Sequence, residues 1–232
     1  GKAAFAECTG LAQLTVDENN QYYSTLQDGQ MLLETNTGLL LQGLSGSVLT
    51  SDMGDKIRDI GDYCFSYTNI TSAGIPEGIT NLASNAFSHC ESMTTVILPS
   101  TLTKVGATCF AWCRRLANVA LNYDLLDIDT YAFNSCAIED LEIPSTVNYV
   151  RAQSFGNISA LKSVTFGERK NTDNSIFVPY IDKQAFANSG TSEYPIVFNL
   201  PWTKQQHADK FSSYPGFGAA HYKLICADGE VK

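Results

Sequence analysis

Apolar and polar residues follow one another in blocks that return every 22 or 23 residues over much of the chain, each block organised around one phenylalanine. The phenylalanines are Phe5, Phe65, Phe87, Phe110, Phe133, Phe155 and Phe186; from Phe65 to Phe155 the steps are 22, 23, 23 and 22 residues, and the last is 31. Eight residues before them stand Ile57, Ile79, Leu102, Leu125, Val147 and Val178, and five before stand Ile60, Leu82, Val105, Ile128, Val150 and Ile181. The residue immediately before each is small: Ala4, Cys64, Ala86, Cys109, Ala132, Ser154 or Ala185. After it comes an apolar triplet at spacings of three and two, as in Leu11-Leu14-Val16, Met93-Val96-Leu98, Leu116-Val119-Leu121 and Leu161-Val164-Phe166. Ile70-Ala73-Ile75 and Ile138-Leu141-Ile143 run one residue early, and these are the two followed by a 22-residue step, so a single deletion explains both facts.

A fixed period of this length marks a solenoid, in which each coil buries its apolar side only against its neighbours. The last two members of each triplet alternate as a short strand does. Pro76, Pro99 and Pro144, which lack an amide donor, suit the strand ends. The segment around each Phe is too short for a free helix, and its pattern predicts a tight helical or 3₁₀ turn with the ring in the coil centre. Coils stacked about 4.8 Å apart would place the triplet strands in one parallel sheet and equivalent residues in ladders.

Three stretches depart from the period. Residues 17–56 predict a β-hairpin insertion: Tyr22-Tyr23-Ser24, then Asp28-Gly29, then Met31-Leu32-Leu33, with both turn residues tolerant of positive φ. Residues 167–177 are polar and lengthen the last step, so they read as a surface loop. From Asn199 the period is lost, and residues 199–232 read as a C-terminal cap on one domain that spans residues 1–232.

The segments Ile60-Gly61-Asp62-Tyr63-Cys64-Phe65 and Leu82-Ala83-Ser84-Asn85-Ala86-Phe87-Ser88-His89-Cys90 resemble the BspA-like leucine-rich repeat of bacterial surface proteins, over roughly residues 1–200. The resemblance implies a leucine-rich repeat solenoid of the α/β superhelix class, mostly short parallel strands with short helical or 3₁₀ turns. It also implies a non-catalytic cell-surface or secreted adhesion module that recognises a protein or glycan on another surface, with no reaction and no cofactor. The cap is similar to the ends of repeat arrays that include some phage tail proteins, which gives the alternative of a structural or receptor-binding module in a phage-tail-like assembly.

Composition narrows the partners. With 24 carboxylates against 15 Lys and Arg the net charge is −9, which disfavours nucleic acid, and the Arg114-Arg115 pair does not reverse it. No run approaches about 18 apolar residues, so no membrane span is expected. The sequence opens at Gly1 inside a repeat, so further domains N-terminal to Gly1 are expected, along with a signal or anchor removed from this chain. Cys8, Cys90, Cys113 and Cys136 stand three residues after a Phe, and Cys64 and Cys109 just before one. That register predicts reduced, interior cysteines acting as compact apolar filler.

The chemical search finds little. His89, His207 and His221 stand in no metal or nucleophile motif, and no Gly-rich phosphate loop is present. No catalytic residue and no metal ligand are therefore expected. Glu139, Asp140 and Glu142 read as a solvated charged face. The sharpest candidate is the residue two after each Phe, namely Glu7, Tyr67, His89, Trp112, Ser135, Asn157 and Asn188. Three successive aromatics at one offset predict a ridge of Tyr67, His89 and Trp112, flat faces for a sugar or a protein, with Arg114 and Arg115 beside it.

Overall fold

A computed structural model describes residues 4, 5, 7–213 and 215–231; Gly1, where the sequence opens inside a repeat, lies outside the described residues. Each repeat forms one coil carrying two short strands. The triplet strands Ser72–Gly74, Thr95–Ile97 and Asn118–Ala120 pair in parallel, with Ala73 opposite Val96 and Val96 opposite Val119. Asp140–Ile143, Ser163–Phe166 and Ile196–Asn199 do the same. The second group is not continuous with the first, which corrects the expectation of one unbroken sheet. The interruption falls where a full-length coil is followed by a shortened one. There the missing residue after Cys136 offsets the strand, and the amide of Ala137 bonds the carbonyl of Leu116 at 2.9 Å.

A second parallel sheet was not anticipated. Asn81–Leu82, Lys104–Val105, Asp127–Ile128, Tyr149–Val150 and Tyr180–Ile181 form five two-residue rungs along another side of the solenoid. The apolar residue of each rung points into the core and its neighbour points out, as Asp127 and Ile128 illustrate.

The segments around the phenylalanines are not helical. Residues two before and two after the ring take left-handed φ values of 51–62°: Tyr63 and Tyr67, Asn85 and His89, Thr108 and Trp112, Tyr131 and Ser135, Gln153 and Asn157. This makes the amides alternate in direction. Those of Tyr63, Phe65 and Tyr67 bond carbonyls of Ser84, Ala86 and Ser88 on the next coil at 3.2, 2.7 and 2.9 Å. Those of Cys64, Ser66 and Thr68 bond within their own coil, to Gly61, Tyr63 and Phe65. A helix would keep every amide bond local. The turns instead give a third hydrogen-bonded seam between coils and leave few buried backbone groups unpaired.

Inside this frame Phe65, Phe87, Phe110, Phe133, Phe155 and Phe186 form one column of parallel rings, with centroids 5.0–5.5 Å apart and planes within 14°. Phe5 does not join it. Strand β1 (Tyr23–Leu26) and β2 (Met31–Glu34) are antiparallel about the Asp28-Gly29 turn, and β3 (Leu39–Gly43) adds a third strand beyond the expected hairpin. β3 runs parallel to Asp59–Ile60 and takes the place of a coil. Its last residue, Gly43, lies so close on Phe65 that a Cβ there would fall 1.9 Å from the ring. Phe5 is left 36% exposed, and Leu11, Leu14 and Val16, expected as a strand, are half-buried and irregular.

At the other end Phe186 meets Phe198 edge-on, 5.0 Å away at 78°, and Phe217 closes over both. Helix α1 (Lys204–Phe211) starts on a reciprocal cap between Thr203 and Gln206. Tyr222–Cys226 extends the triplet sheet in parallel, and Gly229–Val231 folds back against it.

The cysteines follow the core with one correction. Cys8 is exposed, in the same turn as Phe5, which stands outside the column, and Cys226, for which the repeat register made no assignment, is buried. The thiols of Cys90, Cys113 and Cys136 also donate to the carbonyls of Phe65, Phe87 and Phe110 on the preceding coil, at 3.1, 3.1 and 3.2 Å. Ser189 serves Phe155 in the same way at 2.8 Å. At these four coils the residue is a small donor as well as filler, whereas Ile158 at the same offset is filler alone.

Candidate functional site

The turns place the residue two after each Phe on the outside of the solenoid. A left-handed φ is uncommon for large side chains, and here Tyr67, His89 and Trp112 hold values of 62°, 57° and 59°. Each is held by an amide bond to the next coil, onto Ser88, Ala111 and Asn134 at 2.9, 2.8 and 2.8 Å. The repeated backbone brings the rings into register. Tyr67 and His89 stack at 4.3 Å and 6°, and His89 and Trp112 at 4.6 Å and 14°.

This geometry changes what the ridge offers. Rings stacked that closely cover one another's faces, so the row presents edges to solvent. Both faces of His89 are occupied, and only the two ends of the stack retain a face that no ring of the row covers. Arg114 lies beside the row and faces Glu91 at 3.7 Å, both exposed; Arg115 is exposed as well. Partial burial holds the His89 imidazole below its ordinary pKa, with Glu91 opposing and Arg114 reinforcing that shift, so the neutral ring is favoured.

Beyond Trp112 the row changes character. Ser135 donates to Asn134 at 2.8 Å, Asn157 donates to the same oxygen at 3.4 Å, and Asn188 donates to Asn157 at 3.2 Å. The second half is an amide ladder.

Other groups that could carry chemistry are engaged in the fold. His207 is buried against Phe211 and Phe217, and its Nδ1 accepts from the Trp202 indole at 3.3 Å. His221 is exposed just before Tyr222–Cys226. Glu139 pairs with Lys162, Asp140 accepts from Ser163, and Glu142 accepts from Tyr123, so the acidic face is partly neutralised across coils. On the second sheet Asp127 takes both nitrogens of a bidentate Arg151 at 2.9 Å, and Lys104 reaches Asp129 at 2.8 Å. Among the described residues no group of three or more His, Cys, Asp or Glu side chains is placed to hold a metal ion, and no helix is long and apolar enough to cross a membrane.

Sequence reasoning missed a cavity of about 740 Å³ between the N-terminal segment and the outer face of the β1–β3 sheet, lined by Phe5, Leu14, Val16, Leu32, Leu39 and Leu41 among others. The signal was available in the apolar residues that β2 and β3 carry on both faces, Met31 and Leu33 inward, Leu32 and Leu41 outward.

Comparison with known proteins places these features. A family model described as BspA type leucine rich repeat region matches residues 81–201 in six copies. No curated protein matches the chain. Among solved structures, the pneumococcal vaccine antigen PcpA superposes with a TM-score of 0.69 at 16% identity, covering 91% of this chain and 49% of that one. A leucine rich cell surface protein from Faecalibacterium prausnitzii gives 0.59 at 17% identity, covering 88% of this chain and 45% of its own. The leucine rich repeat protein of T. pallidum gives 0.53 at 18% identity, over 77% of this chain and 82% of its own. The chain thus spans about half the length of the first two, and at these identities the likeness is one of fold.

Proposed function

Since this chain belongs to the BspA type leucine-rich repeat family, we propose that it is a non-catalytic recognition module, secreted or displayed at a bacterial cell surface, that binds a protein or glycan on another surface. The location is supported by two proteins of the same fold, a pneumococcal vaccine antigen and a cell surface protein. In this reading residues 1–232 act as one domain, with residues 17–56 inserted and residues 199–232 closing the C-terminal end.

The stacked row of Tyr67, His89 and Trp112 carries the proposal. A left-handed turn is satisfied by Ser135 or Asn157 as readily as by Trp112, so the fold does not require aromatics there. Their edges form a rigid amphipathic ridge that loses little entropy on binding, with Arg114 and Arg115 supplying charge and donors at its side. An array of glycans and extracellular-matrix proteins, probed with the intact chain, identifies the ligand. Trp112→Ala should then weaken that ligand by about 2 kcal/mol with the fold retained. Unchanged affinity would remove the ridge from the binding surface.

A further inference from the structure

We infer that the step in the row beside Trp112, above Ser135, is a subsite for a single neutral pyranose ring. The inference rests on the ridge being the recognition surface and assigns one end of it a ligand class.

The stack runs from coil to coil. Trp112 has His89 on one face at 4.6 Å, so its other face points along the solenoid toward the next coil. The row residue of that coil is Ser135, with the same left-handed φ of 59° as Trp112. A ring at Ser135 would continue the stack as Trp112 continues it from His89. A hydroxymethyl group stands there instead, leaving the far side of the indole with no ring of the row upon it. Trp112 and Ser135 are both half-buried, and Asn157 on the following coil is exposed.

The polar groups around this step are neutral and directional. Ser135 Oγ gives its proton to Asn134, which leaves the hydroxyl to act as an acceptor. Asn157 uses one amide hydrogen toward Asn134 and one lone pair toward Asn188, leaving one donor and one acceptor on a single planar group. A pyranose suits this arrangement: its C–H face packs on the indole, and neighbouring hydroxyls pair with the remaining donor and acceptor of Asn157. An aromatic side chain of a protein partner could stack equally well, but it would desolvate the amide without pairing it, and that costs affinity.

The protein provides its own reporter. It has two tryptophans, and Trp202 is fully buried beneath the cap. A change in tryptophan emission on adding a sugar therefore reports Trp112. The probes are the methyl glycosides of glucose, galactose and mannose and free N-acetylglucosamine, titrated by tryptophan emission and by saturation-transfer NMR. At least one should bind. Ser135→Tyr, which fills the step while keeping a turn that already accepts Tyr67, should weaken that sugar about tenfold or more. Asn157→Leu should weaken it about fivefold, whereas Tyr22→Ala, at an exposed position in the hairpin insertion away from the row, should leave it unchanged. The subsite is overturned if none of the four sugars gives a signal, if phenol binds and the sugars do not, or if Ser135→Tyr has no effect. Each of those results, taken with Trp112→Ala weakening the array ligand as expected, removes the sugar subsite and leaves the ridge standing. Loss of both effects removes the ridge itself.

Discussion

Phe110 and Trp112 stand two residues apart on one turn, yet their rows behave differently along the solenoid. The inner row is the same residue six times, from Phe65 to Phe186, in a continuous column. The outer row reads Tyr67, His89, Trp112, then Ser135, Asn157 and Asn188, although left-handed turns of the same kind carry both halves. The inner position is closed on all sides, so its volume dictates its residue. The outer position is constrained only in its backbone, and either a ring or an amide satisfies it. Where identity changes while geometry does not, packing has stopped deciding, and that boundary is where function is to be sought.

The contrast is broken first by cutting the column. Phe110→Ala removes a large ring from between two others in a coil that cannot collapse, and should cost about 3–5 kcal/mol in urea denaturation. Phe5→Ala, outside the column, should cost under about 0.5 kcal/mol. Equal losses would mean that the column is not the core. Next in size is its N-terminal stop: Gly43→Ala forces a methyl into the Phe65 ring and should cost about 1–3 kcal/mol, with repacking visible in the ring resonances of Phe65 and Phe87.

Thiol chemistry sharpens the same boundary. Native protein should react quickly with a thiol reagent at Cys8 and slowly at the six buried cysteines, with unfolding releasing the rest. Burial raises the thiols of Cys64, Cys109 and Cys136 far above their ordinary 9.0. The folded state therefore keeps protons that the unfolded state gives up. Their contribution to stability is complete below pH 9.0 and falls as pH rises above it, a decline that alkaline denaturation curves should show. The smallest effect belongs to His89, whose imidazole should titrate below 6.5 by NMR because burial disfavours its charge. The linked contribution is present above that value and is lost as the pH falls below it.

The column was legible because each coil returns one Phe at a fixed step. The second sheet was not, since a two-residue rung such as Asp127–Ile128 shows one buried residue and no alternation to recognise. The left-handed seam escaped for a related reason: its usual markers are Gly and Asn, and here Tyr63, Thr108 and Trp112 adopt it under the compulsion of inter-coil bonds. Cys8 was misplaced because register tells where a residue falls in its coil, not whether another coil covers it. The alignment of Tyr67, His89 and Trp112 followed from their common offset. Whether they offered faces or edges depended on ring orientation, which spacing does not encode.

The 31-residue step between Phe155 and Phe186 leaves their rings stacked, 5.5 Å apart and within 14°, only slightly wider than the 5.4 Å of the neighbouring pair. The surplus chain stays on the perimeter. It folds back through the Lys170–Ile176 bridge, and Arg169 clamps it by lying 3.5 Å over Phe177 while bonding Thr146 and Asn148 of the preceding coil. Coil circumference and core stacking are thus uncoupled at this place. The tip around Asp173 is a splice port: a reporter peptide or epitope introduced there would lengthen a loop already anchored at its base. Each doubling of that loop would cost only about 0.6 kcal/mol in closure entropy, so the scaffold can carry cargo on its rim without any change to its interior.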